Sequence, residues 1–193
     1  MLPIRPLPTA LAAAALALTA CEPTPPEKSE SAPAVAAAPP PSATGTVLTA
    51  AARDPDLTTL VSAIHTAGVA GTLEGAGPYT VFAPNNAAFE KVPAARRDFL
   101  TTPEGRPELR RLLTYHLVPG RLDSASLVQR IHAGGGALTL TTMQGGVLTA
   151  RVNATGSIEL TDAAGELSRI VQADVIASNG VLHAIDTVAS PPG

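Results

Sequence analysis

The chain has 193 residues with a formal net charge of -3, of which 15% are charged and 3% aromatic, and it contains no tryptophan. That charge balance offers no basic face large enough for nucleic acid, and the scarcity of aromatic rings argues against the platforms on which bases or sugars stack. A single cysteine, Cys21, rules out an internal disulfide, so stability has to come from packing, for which the length allows one domain with a real core.

Residues 1–20 carry one positive charge, Arg5, ahead of an apolar run over residues 7–20. The run has the length of a signal-peptide core and falls short of the roughly 20 residues that a membrane-spanning helix needs. Leu18-Thr19-Ala20-Cys21 resembles a bacterial lipobox. The resemblance implies cleavage just before Cys21 and lipidation of Cys21, whose diacylglyceryl and amide-linked chains together give stable anchoring. Glu22 is not the Asp associated with inner-membrane retention in enteric bacteria, which points to the periplasmic face of the outer membrane. Residues 22–45 are almost all Pro, Ala, Ser, Thr and Glu, with Lys28 and Gly45 besides and Val35 as the sole branched aliphatic residue, too little apolar surface to order the segment. Its prolines favour polyproline II at roughly 3 Å per residue, the composition of a tether that holds a domain several tens of Å from a bilayer.

Residues 47–52 are a short helix candidate. Asp54-Pro55 supplies a cap and a first-turn proline for a second helix, in which Leu57, Leu60, Val61 and Ile64 form one apolar stripe with His65 beside it, and Gly68 ends it. Residues 77–89, Gly-Pro-Tyr-Thr-Val-Phe-Ala-Pro-Asn-Asn-Ala-Ala-Phe, read as a buried strand running directly into a helix. Tyr79, Val81 and Phe82 are strand formers, Pro84 cannot donate to a ladder, and Asn85 or Asn86 caps the helix that contains Phe89. Another segment runs from Pro93 to Leu100. Beyond it Leu109, Leu112, Leu113 and His116 share one helical side, while Arg110 and Arg111 face away toward solvent. Residues 117–120 break that helix. An amphipathic segment over residues 124–132 ends in three glycines at 134–136, which lack the spacing of a phosphate loop and read as a flexible joint. The period then changes to two. Leu138 and Leu140, the turn Gln144-Gly145-Gly146, and Val147, Thr149 and Arg151 make a hairpin. Strands follow at 158–160 and 169–176, a tight turn at Ser178-Asn179-Gly180, and a last strand over 181–188. Helices first and strands last is an α+β arrangement.

Three blocks resemble the signatures of the fasciclin (FAS1) domain, in the family's order. They are residues 79–89, residues 112–120 with the pair Tyr115-His116, and residues 179–192 with Asn-Gly-Val-Leu-His-Ala-Ile-Asp-Thr-Val. The resemblance brackets residues 46–193 as a single domain, behind a signal peptide at 1–20 and a lipidated tether at 21–45. It implies a helical layer packed against a β-wedge of short strands, and an extracellular adhesion or matrix module without catalytic residues or cofactors. The family-signature residues it selects are Tyr79, Phe82, Pro84, Phe89, Tyr115, His116, Asn179, Gly180, His183 and Asp186. Asn85 stands where the family usually has Thr, which leaves capping intact. The Asn-Lys-Asp-Ile-Leu and Glu-Pro-Asp-Ile-Met sequences tied to integrin binding in animal members are absent, so integrin recognition does not carry over.

The histidines invite other readings. His116 lies on an apolar helical face and His183 within a strand, so both are expected as hydrogen-bonded core groups. A zinc site needs several ligands at recognisable spacing, and the chain has no His-Glu-x-x-His and no cysteine pair. Ser178, His183 and Asp186 contain the letters of a triad without a Gly-x-Ser-x-Gly elbow around any serine. The expected function is non-enzymatic: a membrane-anchored module binding an envelope or extracellular protein or polysaccharide. The alternatives are an envelope receptor for a small apolar ligand or lipid, and a hydrolase using His116 and His183.

Overall fold

The computed structural model describes residues 45–191. The expected signal peptide, Cys21 and the expected tether through residue 44 lie outside them, as do residues 192–193.

Local chemistry sets most element ends. The Thr46 hydroxyl accepts from the Thr49 amide and starts α1, Val47–Ala52. Asp54 caps a 3-10 turn, Pro55–Leu57, that leads into α2, Thr58–Ala67, and Gly68 ends α2 in the left-handed region at φ 70. A further short helix, α3 (Ala70–Glu74), follows, which the periodicity had not indicated. Strand β1 is Tyr79–Pro84 and runs into α4, Asn86–Lys91. Asn85 is the cap, its Oδ1 accepting from the Ala88 amide at 2.8 Å. The side chain of Asn86 instead accepts from the Thr59 amide and donates to the Pro55 carbonyl, fastening α4 to the start of α2. Next come α5 (Ala94–Thr101) and α6 (Arg106–Tyr115). Arg110 faces solvent as expected, yet its guanidinium also donates to the Ala67 carbonyl, closing the C-terminal end of α2.

Three expectations need correction. Residues 117–120 do more than break a helix, since Leu117–Pro119 forms strand β2, paired antiparallel with β1. The glycines at 134–136 are the C-terminal cap of α7, Ser124–Ala133, rather than a loose joint: the Gly136 amide donates to the Ile131 carbonyl at 2.8 Å, and Gly135 and Gly136 take φ of 75 and 99. The last strand stops at Ile185 instead of residue 188: the Asp186 amide still donates to the Arg169 carbonyl, but the Arg169 amide donates to the Asp186 carboxylate in place of its carbonyl.

The strands β3 (Leu138–Thr141), β4 (Val147–Val152), β5 (Ile158–Thr161), β6 (Leu167–Ala177) and β7 (Gly180–Ile185) complete one sheet in the order β2-β1-β7-β6-β5-β4-β3. In β4 the buried parity is Leu148 and Ala150, while Val147 and Arg151 are exposed. The three hairpins from β3 to β6 share one turn chemistry. Thr142, Asn153 and Asp162 each accept, through the carbonyl, from the amide of a glycine three residues on, Gly145, Gly156 and Gly165, at 2.9–3.1 Å. Each glycine has a positive φ, and each leading side chain bonds back into its own loop. The Met143 amide donates to the Leu117 carbonyl, bringing the two ends of the sheet together.

Strands β1 and β7 are the middle of the molecule. They pair in parallel, Tyr79 with Gly180 through Pro84 with Ile185, and all of β7 is buried. Alternate residues feed two cores. Val81, Ala83, Leu182 and Ala184 pack with Leu48, Leu60, Ile64 and Leu112 of the helical layer. Phe82 and Ile185 pack on the other side with Leu127 and Ile131 of α7 and with Leu140, Leu148 and Leu160 of the wedge. The fold is therefore a helical layer against a β-wedge, with the first and last sequence signatures as its shared wall.

Candidate functional site

The signature residues converge on that wall. Asn179, at the turn before β7, engages its whole side chain and its carbonyl with its neighbours. Its Oδ1 accepts from the Val47 amide at 2.9 Å, its Nδ2 donates to the Leu73 and Gly75 carbonyls at 2.7 and 2.8 Å, and its carbonyl accepts from Tyr79. One residue thus ties α1 and α3, through its side chain, and β1, through its carbonyl, to the start of β7. Gly180 follows because nothing larger fits: a Cβ there would stand 2.1 Å from the Tyr79 carbonyl oxygen. Tyr79 itself is half-buried, whereas Phe82, Pro84 and Phe89 are buried.

His183 sits opposite Phe82 in the ladder, and the two rings stack at 5.7 Å between centroids. Its Nδ1 receives the Asp174 amide at 3.2 Å, which fixes the ring proton on Nε2, from where it is donated to the Leu122 carbonyl at 2.7 Å. Asp174 can reach because β6 shifts register between Gln172 and Val175, with Asp174 in the left-handed region at φ 60. Its carboxylate also holds the amide and hydroxyl of Ser124 at the start of α7.

His116 is the mirror case. The Ala189 amide donates to its Nε2 at 3.1 Å, so the proton rests on Nδ1 and goes to the Leu112 carbonyl at 2.8 Å. Burial disfavours the imidazolium and pushes the His116 pKa down to about 4, against smaller upward pulls from Leu112 and Asp162. The His183 pKa is lowered for the same reason. Tyr115, wholly buried, donates its hydroxyl to the Val147 carbonyl at 2.6 Å and accepts from the Ala163 amide, and burial raises its pKa. The pair Tyr115-His116 therefore clamps the end of α6 to the wedge on one side and to the C-terminal segment on the other.

Ser178, His183 and Asp186 do not form a triad. Ser178 donates to the Gly45 carbonyl, His183 is engaged as above, and Asp186 accepts from the Arg169 amide and the Thr187 hydroxyl while facing Lys91 at 3.8 Å. Among the described residues no group of three His, Cys, Asp or Glu is placed to hold a metal. As placed, neither buried imidazole has a free lone pair for a ligand or a substrate proton. Sequence reasoning missed Asp162 and Thr80. The Asp162 carboxylate accepts from the amides of Ala164, Glu166 and Ser190. The Thr80 hydroxyl donates to the Gly120 carbonyl and accepts from the Leu122 amide. The Asp-Ala-Ala-Gly run was a legible turn signal for the first, but its bond to Ser190 was not local.

Comparison with known proteins agrees with this geometry. The fasciclin domain family model matches residues 55–191. Protein sll1483 of Synechocystis is 37% identical over 76% of this chain and 74% of its own length. The cell surface glycolipoprotein MPB83 of Mycobacterium bovis is 37% identical over 76% of this chain and 60% of its own. The transforming growth factor-beta-induced protein ig-h3 of Sus scrofa is 34% identical, but this chain covers only 20% of it. A solved FAS1 domain pair from the insect cell adhesion molecule Fasciclin I superimposes with a TM-score of 0.68 at 20% identity, over 76% of this chain and about half (51%) of that one. The likeness to that structure is one of fold, a helical layer on a seven-stranded wedge. With the family model spanning most of the chain and relatives well above 30% identity along most of its length, the chain belongs to the fasciclin domain family.

Proposed function

We propose that this protein is a lipid-anchored, extracytoplasmic, non-enzymatic module that binds a protein or polysaccharide of the cell envelope, with its fasciclin domain held off the membrane by the tether. The observation that carries the reading is the coincidence of the Leu18-Thr19-Ala20-Cys21 signal with 37% identity to a cell surface glycolipoprotein. The absence of catalysis is supported by the titratable residues of the signatures: His116, His183 and Asp186 are held by partners within the fold. The periplasmic face of the outer membrane is the preferred location, from Glu22 after the lipidated cysteine.

The test is fractionation of cells carrying the parent chain or Cys21→Ser, with mass spectrometry of the mature N-terminus. The parent is expected in the membrane fraction with an acylated Cys21, and the variant in the soluble fraction with its domain folded. An unmodified Cys21 on the mature chain, or a variant that stays in the membrane, overturns the anchoring. Crosslinking on intact cells then identifies what the domain engages. Capture of a turned-over small molecule with no macromolecular partner would replace adhesion with an enzyme reading.

A further inference from the structure

The helical layer is not filled. Between α2, α5 and α6 lies an opening of about 150 Å³. Its floor is apolar and buried: Phe89, Leu100, Leu109, Leu112 and Val188. The α2 wall is Thr59, Ser62, Ala63 and Thr66, all short side chains. The Ser62 and Thr66 hydroxyls offer a ligand no donor. Ser62 donates to the Thr58 carbonyl at 3.0 Å and Thr66 to the Ser62 carbonyl at 2.9 Å, both within α2, and Thr101 at the rim donates to the Asp98 carbonyl.

The rim holds one charge, Arg97, which is half-buried. Its neighbour Arg96 holds Glu108 at 3.0 Å, whereas the Arg97 guanidinium has no hydrogen bond or ion pair among the described residues. An apolar hollow of this size in another protein stays dry and takes a molecule as large as benzene, so the room suits about six carbons. An unpaired guanidinium beside it is complementary to a carboxylate, which it binds through parallel N–H donors. A neutral hydrocarbon would leave that cation unused, and a strongly polar ligand would leave the leucine floor uncovered.

We propose that this cavity binds a short-chain aliphatic carboxylate, with the chain among Leu109, Leu112 and Val188 and the carboxylate on Arg97. The site lies in the helical layer, shares Leu112 with the core on the β1–β7 wall, and does not depend on the lipid anchor. The full chain is titrated with butyrate, hexanoate and 1-hexanol, following methyl NMR signals. Hexanoate is expected to saturate at one equivalent, to shift the methyls of Leu109, Leu112 and Val188, and to bind about fifteenfold more tightly than butyrate, about fourfold per methylene. Arg97→Gln, at a half-exposed position, is expected to weaken hexanoate about fivefold and leave 1-hexanol unchanged. Ala63→Leu, which fills the hollow, is expected to remove binding of both. Three results overturn the proposal: no saturable shift at those methyls, equal binding of hexanoate and its alcohol with no response to Arg97→Gln, or unchanged hexanoate binding in a folded Ala63→Leu protein. Should Ala63→Leu fail to fold, the methyl shifts and Arg97→Gln decide the matter alone.

Discussion

The two halves of the sheet are held by different means. In the β3–β6 hairpins each turn is closed by the residues that make it, with a polar side chain leading and a left-handed glycine three positions later. One face of these strands stays largely in water, and Leu167 and Val171 of β6 are more than half exposed. The β1–β7 wall has no local turn. Its strands come from opposite ends of the domain, are buried on both faces, and are joined by groups that reach across the fold: Asn179, His116, His183 and Thr80. The lesson is that a hairpin tolerates a fault in one turn, while a fault in the wall is felt by both cores at once.

Glycine substitutions should separate the halves most sharply. Gly180→Ala forces a Cβ against the Tyr79 backbone at 2.1 Å, which flexible side chains cannot relieve. A loss of about 3 kcal/mol or more is expected in chemical denaturation, at the upper end for overpacking. A variant within about 1 kcal/mol of the parent would mean that the wall can slip apart cheaply.

His116→Ala comes next. It removes two hydrogen bonds, leaves the Ala189 amide without a partner in the core, and opens a small void, for an expected loss of about 2–4 kcal/mol. The same residue gives the domain a pH dependence. In the unfolded chain His116 takes up a proton near its ordinary pKa of 6.5, whereas in the fold its pKa is about 4. The unfolded state therefore binds more protons in that window, and stability falls as the pH drops from about 6.5 to about 4, by roughly 3 kcal/mol from this group. His183 acts in the same direction. Denaturation curves at about pH 7 and about pH 4.5, on either side of most of that window, measure the fall, and a smaller difference is expected in His116→Ala. An equal difference in the two proteins would assign the effect to other groups.

In the hairpins, Gly145→Ala meets no atom within 4 Å, so only its φ of 92 is unfavourable. The expected loss is about 1 kcal/mol, with no change in denaturant slope. At the bottom of the scale Val171→Thr, on the water-facing side of β6 at 56% exposure, should move stability by less than about 0.5 kcal/mol. If Gly145→Ala cost as much as Gly180→Ala, the contrast between the halves would be lost.

Features whose causes are local could be read from the chain alone. They include a helix cap at Asn85 or Asn86, the Gly68 terminator, the apolar stripe of α2, the side of α6 that carries His116, the β3–β4 hairpin and the α+β class, each resting on a few neighbouring residues. The family resemblance joined the distant blocks in order without saying how they touch. Only the tertiary structure decided that residues 79–84 and 180–185 lie side by side, because a strand's ladder partner is chosen by which faces can be buried together and not by either strand alone. It also decided that Leu117–Pro119 is a strand, that β4 buries Leu148 instead of Val147, and that Arg110 closes a helix whose last residue lies 43 positions earlier in the chain. The tautomers of His116 and His183 were likewise out of reach. Each is set by a backbone amide, Ala189 or Asp174, whose approach depends on how the C-terminal segment and the β6 bulge pack.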